Sequence, residues 1–117
     1  MKDFSNTENC PVRNVLDRLS DKWTTLVILV LGEQGKMRFN ELHKNIGDVS
    51  EKMLTVSLRK LEADGLIARQ VFPVIPPRVE YQLTDLGKDF LPLIHRISDW
   101  AHANMQQILT NRSRFKR

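Results

Sequence analysis

Residues Ser50–Gly65, SEKMLTVSLRKLEADG, contain the signals of one complete helix. Ser50 is a preferred N-cap, because its side-chain oxygen can accept a hydrogen bond from an unpaired backbone N–H of the first turn. Leu54, Leu58 and Leu61 recur at helical spacing and form one apolar stripe. The glycine at the end of the stretch can adopt the positive φ with which many helices stop. The stretch therefore predicts a short, capped helix with one buried face.

The opposite side of the predicted helix carries Lys52, Thr55, Val56 and Arg59. A basic, hydrogen-bonding helix face can lie in the major groove of DNA, where a bidentate arginine–guanine contact contributes about 1–3 kcal/mol to base discrimination. A solvated helix has the same pattern, so this helix alone does not separate the two interpretations. The residues around it are needed to decide.

The net charge of +4 comes from the end of the chain. Thr110–Arg117 contains four of the 18 basic residues and no acidic one, which leaves 14 basic residues against 14 acidic ones. The overall charge is therefore weak evidence for nucleic-acid binding, and the distribution of charge over faces matters more. We expect residues 1–9 to be flexible and the basic tail 110–117 to be disordered.

The composition excludes several classes of protein. The polar, acidic N-terminus is no signal peptide, and the longest apolar run, Leu26–Leu31, is too short to span a bilayer. A single cysteine fits a reducing compartment, so we expect a cytoplasmic protein with no membrane contact. No phosphate loop, catalytic triad or carboxylate pair is present, so we expect neither an enzyme nor a cofactor. His43, His95 and His102 lack metal-ligand spacing, and no metal is expected.

Further helices are predicted before the quoted stretch. A first helix begins at Cys10-Pro11, where the missing proline N–H has no cost. Lys22–Leu31 is apolar nearly all round, as in a central helix that is covered on several sides. Phe39–Ile46 forms a two-turn helix, and Gly47–Val49 is the turn that leads to Ser50. The chain thus contains a helix–turn–helix.

A hairpin and a long helix complete the predicted fold. Leu66–Phe72 and Val79–Leu83 read as strands, and Pro76-Pro77 between them cannot continue a strand. Met37–Phe39 can add a very short third strand. A hairpin directly after the quoted helix is a wing, and Thr84 then caps a final helix with an apolar stripe more than six turns long. The fold class is α+β, mostly α: a winged helix-turn-helix with a two-stranded wing and N- and C-terminal dimerisation helices.

The two terminal helices carry more apolar surface than a domain of this size needs for its own core. Two-fold pairing is also the usual way in which a small DNA-binding domain gains affinity and half-site spacing. We therefore expect a homodimer. The predicted interface residues are Val12, Leu16, Leu93, Ile97, Trp100, Met105 and Ile108.

The order of motifs along the chain resembles a known family. The motifs are Cys10-Pro11-Val12, Lys22-Trp23, Arg38-Phe39-Asn40-Glu41-Leu42, Ser50-x-Lys52-Met53-Leu54-Thr55, Pro76-Pro77-Arg78-Val79-Glu80-Tyr81 and Leu86-Gly87. Over residues 10–109 the chain is similar to the HxlR-type winged helix-turn-helix transcription regulators of bacteria, related to the MarR group. The resemblance implies a cytoplasmic, homodimeric DNA-binding regulator, more often a repressor. Val56-Ser57 departs from relatives that often carry Gln or Arg there, which affects base preference at one position.

A pseudo-palindromic operator is the expected partner. The helix that begins at Ser50 is placed in the major groove. Arg38 and Asn40 at the start of the preceding helix suit backbone contacts, and Arg78 on the wing suits a minor groove or a phosphate. The predicted DNA-binding residues are Arg38, Asn40, Ser50, Lys52, Thr55, Val56, Arg59 and Arg78.

Cys10 is a candidate sensor. It lies at the start of the first helix, where the helix dipole favours the thiolate, and Arg13 lies one turn away. The resemblance adds that relatives use a cysteine here to sense oxidants, quinones or other electrophiles. With no second cysteine, a disulfide must join two subunits or a small thiol; alkylation and sulfenic acid are other routes. A structural capping residue is the alternative.

Two other functions remain open from the sequence. A small-molecule effector could bind between the dimer helices and the DNA-binding part. A winged helix can also serve protein–protein contact without DNA, although the basic helix face and the wing arginine argue against this.

Overall fold

The computed structural model describes residues 10–115, which form five helices and three strands. The helices are α1 (Pro11–Leu19), α2 (Lys22–Gln34), α3 (Phe39–Ile46), α4 (Glu51–Ala63) and α5 (Asp85–Arg114). The strands are β1 (Met37–Arg38), β2 (Ile67–Phe72) and β3 (Arg78–Leu83). Residues 1–9, predicted to be flexible, and residues 116 and 117 of the tail lie outside the described part, so the predictions for them stay predictions.

The central helix is α2, as its all-round apolarity predicts. Its N-cap is Asp21, whose carboxylate accepts hydrogen bonds from the backbone N–H groups of Trp23 (3.1 Å) and Thr24 (3.4 Å). Val27 and Ile28 are fully buried, and α2 packs against all four other helices. It runs one turn longer than predicted and ends at a glycine with φ of 80°. This helix therefore supports α3, α4 and strand β3.

The three strands form one antiparallel sheet in the order β1-β3-β2. The hairpin register runs from Ile67 opposite Leu83 to Phe72 opposite Arg78. On the other side of β3, Arg38 lies opposite Glu80. The predicted two-stranded wing thus has a short third strand at its base, which ties it to the start of α3.

Helix α5 continues past the end predicted for the folded domain. The expectation of a disordered segment from Thr110 is wrong as far as Arg114, because the helix runs to that residue. Arg112 and Arg114 occupy its last turn, where positive charge interacts favourably with the negative end of the helix dipole. The basic residues that suggested disorder are thus compatible with helix.

The long helix gives the chain an extended shape. The Cα radius of gyration is 17.0 Å and the principal extents are 59 × 35 × 24 Å. A compact chain of this length would have a radius of gyration of about 13 Å. Much of α5 therefore extends beyond the core of its own domain.

The first turn of α5 packs closely on the loop after α4. A Cβ atom added to Gly87 would lie 2.1 Å from the backbone oxygen of Leu66. We expect Gly87→Ala to lower the free energy of unfolding by about 2 kcal/mol or more, because backbone has to shift to relieve this overlap. Thermal and chemical denaturation measure the change.

Gly32→Ala is the matched control, because Gly32 is also helical but its new Cβ would meet only the flexible side chain of Leu91, at 2.5 Å. We expect a loss below about 1 kcal/mol there, since rotation of that leucine and the helix propensity of alanine offset the overlap. Equal losses in the two variants would contradict this account of Gly87.

Candidate nucleic-acid interface

One face of α4 is buried in the domain, and this determines which face is left uncovered. Leu54, Leu58 and Leu61 are at most 2% exposed, and Ser57 beside them is fully buried. The hydroxyl of Ser50 accepts the backbone N–H of Met53 at 3.1 Å, which confirms the predicted N-cap. The helix therefore begins at the predicted residue, and its leucine stripe faces the core as predicted.

The uncovered face of α4 borders a shallow cleft of about 510 Å³. The cleft is lined by four exposed residues that were predicted to contact DNA: Lys52, Thr55, Val56 and Arg59. Phe39 and Glu51 complete the lining. The structure thus brings four of the eight predicted contacts together on one surface.

The hydroxyl of Thr55 has a partner within its own helix. It donates a hydrogen bond to the backbone oxygen of Glu51 at 2.9 Å. With its hydrogen engaged, this side chain can offer an accepting oxygen and a methyl group to a base or phosphate. Thr55 is therefore suited to contact with a donor or a thymine methyl group rather than with an acceptor.

Arg38 and Asn40 lie at the start of α3, and both are exposed. Arg38 is the N-cap residue, and its backbone N–H donates to the carboxylate of Glu41 at 2.9 Å. Within residues 10–115, ion pairs are formed by Arg18, Lys60, Arg69 and Arg78. Arg38, Lys52 and Arg59 form none there. These three cations therefore carry charge on a surface without an acidic ion-pair partner in the described part.

Arg78 is the first residue of β3 and lies just after the proline turn rather than in it. Its guanidinium carbon lies 4.2 Å from the centre of the Phe72 ring, and its Nε lies 3.4 Å from Oε2 of Glu80. Sequence reasoning did not identify these two partners. The available signal was the i, i+2 spacing of Arg78 and Glu80, which places both on one face of a strand.

Five of the seven predicted dimer residues on the terminal helices are exposed in the single chain. No residue of α1 is buried. Trp100 on α5 is 60% exposed, and the apolar residues Val12, Leu16, Leu93 and Ile97 are exposed as well. Farther along α5, Met105 and Ile108 are half-buried. Val15, a further apolar residue of α1, is also exposed.

Cys10 is the N-cap residue of α1, as predicted. The thiol is free, makes no capping hydrogen bond, and the residue is only 4% exposed. Its backbone oxygen accepts hydrogen bonds from the backbone N–H (3.2 Å) and the side chain (3.0 Å) of Asn14. The thiol thus lies at the start of a helix but is buried, and burial restricts the access of reagents.

Two ion pairs join the N-terminal helices to the end of α4. Arg18 of α1 forms a bidentate pair with Asp64, the C-cap of α4, in which Nη2 donates to Oδ1 at 3.2 Å and Nε donates to Oδ2. The hydrogen bonds to Asp64 raise the pKa of Arg18, against the lowering effect of burial. Lys60 of α4 lies 3.4 Å from Asp21, the N-cap of α2. These side-chain contacts, which were not predicted, connect α1 and α2 to the end of α4.

A cavity of about 520 Å³ lies between α1, the end of α4 and the start of α5. Val15, Leu86 and Phe90 contribute apolar walls, and the Arg18–Asp64 pair contributes part of the polar wall.

In the described part of the chain, no cluster of three or more His, Cys, Asp or Glu side chains could hold a metal ion. No helix there is long and apolar enough to cross a membrane.

Comparisons with known proteins identify a family for this chain. The profile of the HxlR-like helix-turn-helix family matches residues 18–109. The chain is 43% identical over 105 residues to the HTH-type transcriptional regulator YtfH of Escherichia coli (strain K12), and the match covers 90% of this chain and 82% of that protein.

Two solved structures are similar over most of their length. The transcriptional regulator ytfH from Salmonella typhimurium has a TM-score of 0.82 and 42% identity, covering 92% of this chain and 95% of that chain. The redox regulator HypR in its reduced form has a TM-score of 0.80 and 35% identity, covering 86% and 98%. The two YtfH proteins are transcriptional regulators rather than enzymes. The predicted winged helix-turn-helix fold is confirmed. The chain belongs to the HxlR-like helix-turn-helix family of transcriptional regulators.

Proposed function

We propose that this regulator acts in the cytoplasm as a homodimeric repressor that binds a pseudo-palindromic operator. One observation carries the proposal: α4 buries its leucine face in the domain and leaves Lys52, Thr55, Val56 and Arg59 uncovered together. A helix enters the major groove in this way, with its long polar side chains toward base edges and phosphates.

The remaining predicted contacts have supporting roles around α4. Ser50 caps the helix, and the backbone N–H groups of its first turn suit a phosphate oxygen. Arg38 and Asn40, at the start of α3, suit the adjacent backbone, whereas Arg78 of the wing suits the flanking minor groove. A protein-interaction module without DNA is less well supported, because this face is basic and the family is one of transcriptional regulators.

Arg59→Ala should weaken binding to the operator by about 1–3 kcal/mol, roughly 5- to 150-fold, because a bidentate base contact is lost. The operator is first selected from a random pool of duplexes by the purified chain, and binding is then measured at one stated salt concentration. Thermal unfolding should not change, since Arg59 is exposed.

Lys60→Ala is the matched control for this prediction. It removes one positive charge from the same helix, but Lys60 faces Asp21 rather than the cleft. We expect a loss of threefold or less, about the size of one exposed charge contact. Equal losses in the two variants would show that α4 contributes only charge and no base contact.

The dimer is supported by the uncovered apolar surface of α1 and α5. Exposed apolar patches that continue along a helix beyond its own core mark interaction surfaces. The extended shape of the chain agrees with this, because a helix packed only on its own domain would give a smaller radius of gyration. We assign the two-fold contact to both helices, with Ile97 and Trp100 near its centre.

Ile97→Asp should convert the dimer to a monomer, because a charge would be buried without a partner. Light scattering during gel filtration measures the mass against the 13.6 kDa of one chain. Gln106→Asp is the control, since it adds the same charge to an exposed position on the opposite side of α5. A wild-type chain that is monomeric at micromolar concentration would contradict the proposed dimer.

Thiol sensing through Cys10 is the proposed regulation. The residue sits at the N-terminus of α1, next to the proposed dimer surface, and the similar structure HypR is described as a redox regulator.

The chain has one cysteine, so oxidation by diamide would join two thiols of different molecules or one thiol and a small thiol. The two thiols lose two electrons and two protons, which diamide accepts. Because Arg18 of α1 is paired with Asp64 at the end of α4, a shift of α1 after oxidation would change the position of α4.

Diamide should release the operator from the wild-type chain, dithiothreitol should restore binding, and Cys10→Ser should be unaffected by both. Fluorescence anisotropy of the labelled operator measures release, and a non-reducing gel separates a disulfide-linked dimer from a mixed disulfide. Equal release from Cys10→Ser would overturn the sensor role.

The cavity beside Arg18 favours a second candidate, a small-molecule effector. Its volume is within the range of ligand pockets, and an occupant would touch the α1–α4 link directly. A compound that raises the unfolding temperature of Cys10→Ser and releases the operator from it would support this candidate over thiol sensing.

A further inference from the structure

The guanidinium of Arg78 is held from two sides. Phe72, directly opposite in the β2–β3 register, places its ring 4.2 Å from the guanidinium carbon. Glu80, two residues along the same strand face, places Oε2 at 3.4 Å from Nε. Cation–π contact and ion pairing thus act on the same side chain.

These contacts leave part of Arg78 available. Its Nε is buried without hydrogen-bond geometry, yet the whole side chain is 37% exposed. The exposed area therefore belongs to other atoms of the side chain. A free arginine loses rotamer entropy when it is ordered. An arginine already held on the strand loses less of this on binding DNA.

Glu80 also lies opposite a second basic residue in the sheet. Across the β1–β3 register it lies opposite Arg38, and across β2–β3 opposite Gln70. Directly opposed side chains have Cβ atoms about 4.5–5.5 Å apart. One acidic residue therefore stands between the two arginines that we assign to the DNA backbone and the flanking groove. On charge alone, an acidic residue in this place would weaken DNA binding.

We propose that Glu80 and Phe72 are positioning residues for the wing arginine: they hold Arg78 in the orientation in which it meets the operator. The inference rests on the proposed function. It predicts a result opposite in sign to that of simple repulsion, because removal of the acidic charge at Glu80 weakens specific binding instead of strengthening it.

The test uses the full chain, the selected operator duplex and a scrambled duplex of equal length. Glu80→Gln should weaken operator binding by about threefold to tenfold, because the ion pair and the ordering of Arg78 that it provides are lost. It should not weaken binding to the scrambled duplex, because removal of a negative charge by itself favours DNA. Glu33→Gln removes the same charge from an exposed position at the end of α2 and should not weaken either complex. In the Arg78→Ala background, Glu80→Gln should cause no weakening.

Phe72 provides an independent variant. Phe72→Tyr keeps an aromatic ring and should bind the operator like the wild type, whereas Phe72→Leu should weaken binding by about threefold, as expected for the loss of one cation–π contact. Thermal unfolding of each variant excludes loss of the fold as the cause.

Three results would overturn the inference. Glu80→Gln could bind the operator more tightly than the wild type, or it could weaken binding equally in the Arg78→Ala background. Arg78→Ala could also leave operator binding unchanged while Arg59→Ala weakens it, which removes the wing contact but keeps the role of α4. If no duplex is enriched by the wild-type chain, the proposed function fails instead.

Discussion

The burial of the leucine stripe of α4 is the constraint on which the rest of the structure depends. Leu54, Leu58 and Leu61 pack into the core around α2, so α4 cannot rotate about its axis without exposing apolar side chains to water. At about 25 cal/mol per Å² of apolar surface, such a rotation would cost several kcal/mol. The orientation of the opposite, basic face is therefore a consequence of core packing. The Ser50 cap stabilises the start of this helix, and the ion pairs Lys60–Asp21 and Arg18–Asp64 stabilise its end.

The other elements place this helix in a larger arrangement. The sheet joins the start of α3 to the wing through the pairing of Arg38 with Glu80, so two groups that we assign to DNA share one rigid support. Helices α1 and α5 extend away from that support and leave apolar surface uncovered. The Arg18–Asp64 pair connects the proposed dimer surface to α4. In this account, dimer geometry sets the spacing of the two α4 helices, and a signal at α1 changes that spacing.

Local signals in the sequence were sufficient for the elements and for the orientation of α4. Caps, apolar periodicity and the proline pair predicted five helices and the hairpin, because these features depend on neighbouring residues. The contacts of Arg78 with Phe72 were not predictable in the same way, since they depend on the register across the hairpin. Nor was the link between Arg18 and Asp64, which are distant in sequence. The tail was predicted wrongly as far as Arg114, because a run of basic residues is compatible with either disorder or the last turn of a helix.

The most direct measurement is a hydroxyl-radical and methylation-interference footprint of the wild-type chain on its selected operator, together with the stoichiometry of the complex. The account predicts two chains per site and two major-groove contacts related by a two-fold axis, with their centres about 10 base pairs apart. Each should be flanked by protection of a minor groove, where the wing lies. A single unsymmetrical protected segment, or one chain per site, would contradict the proposal that α4 is the DNA-reading element of a two-fold dimer.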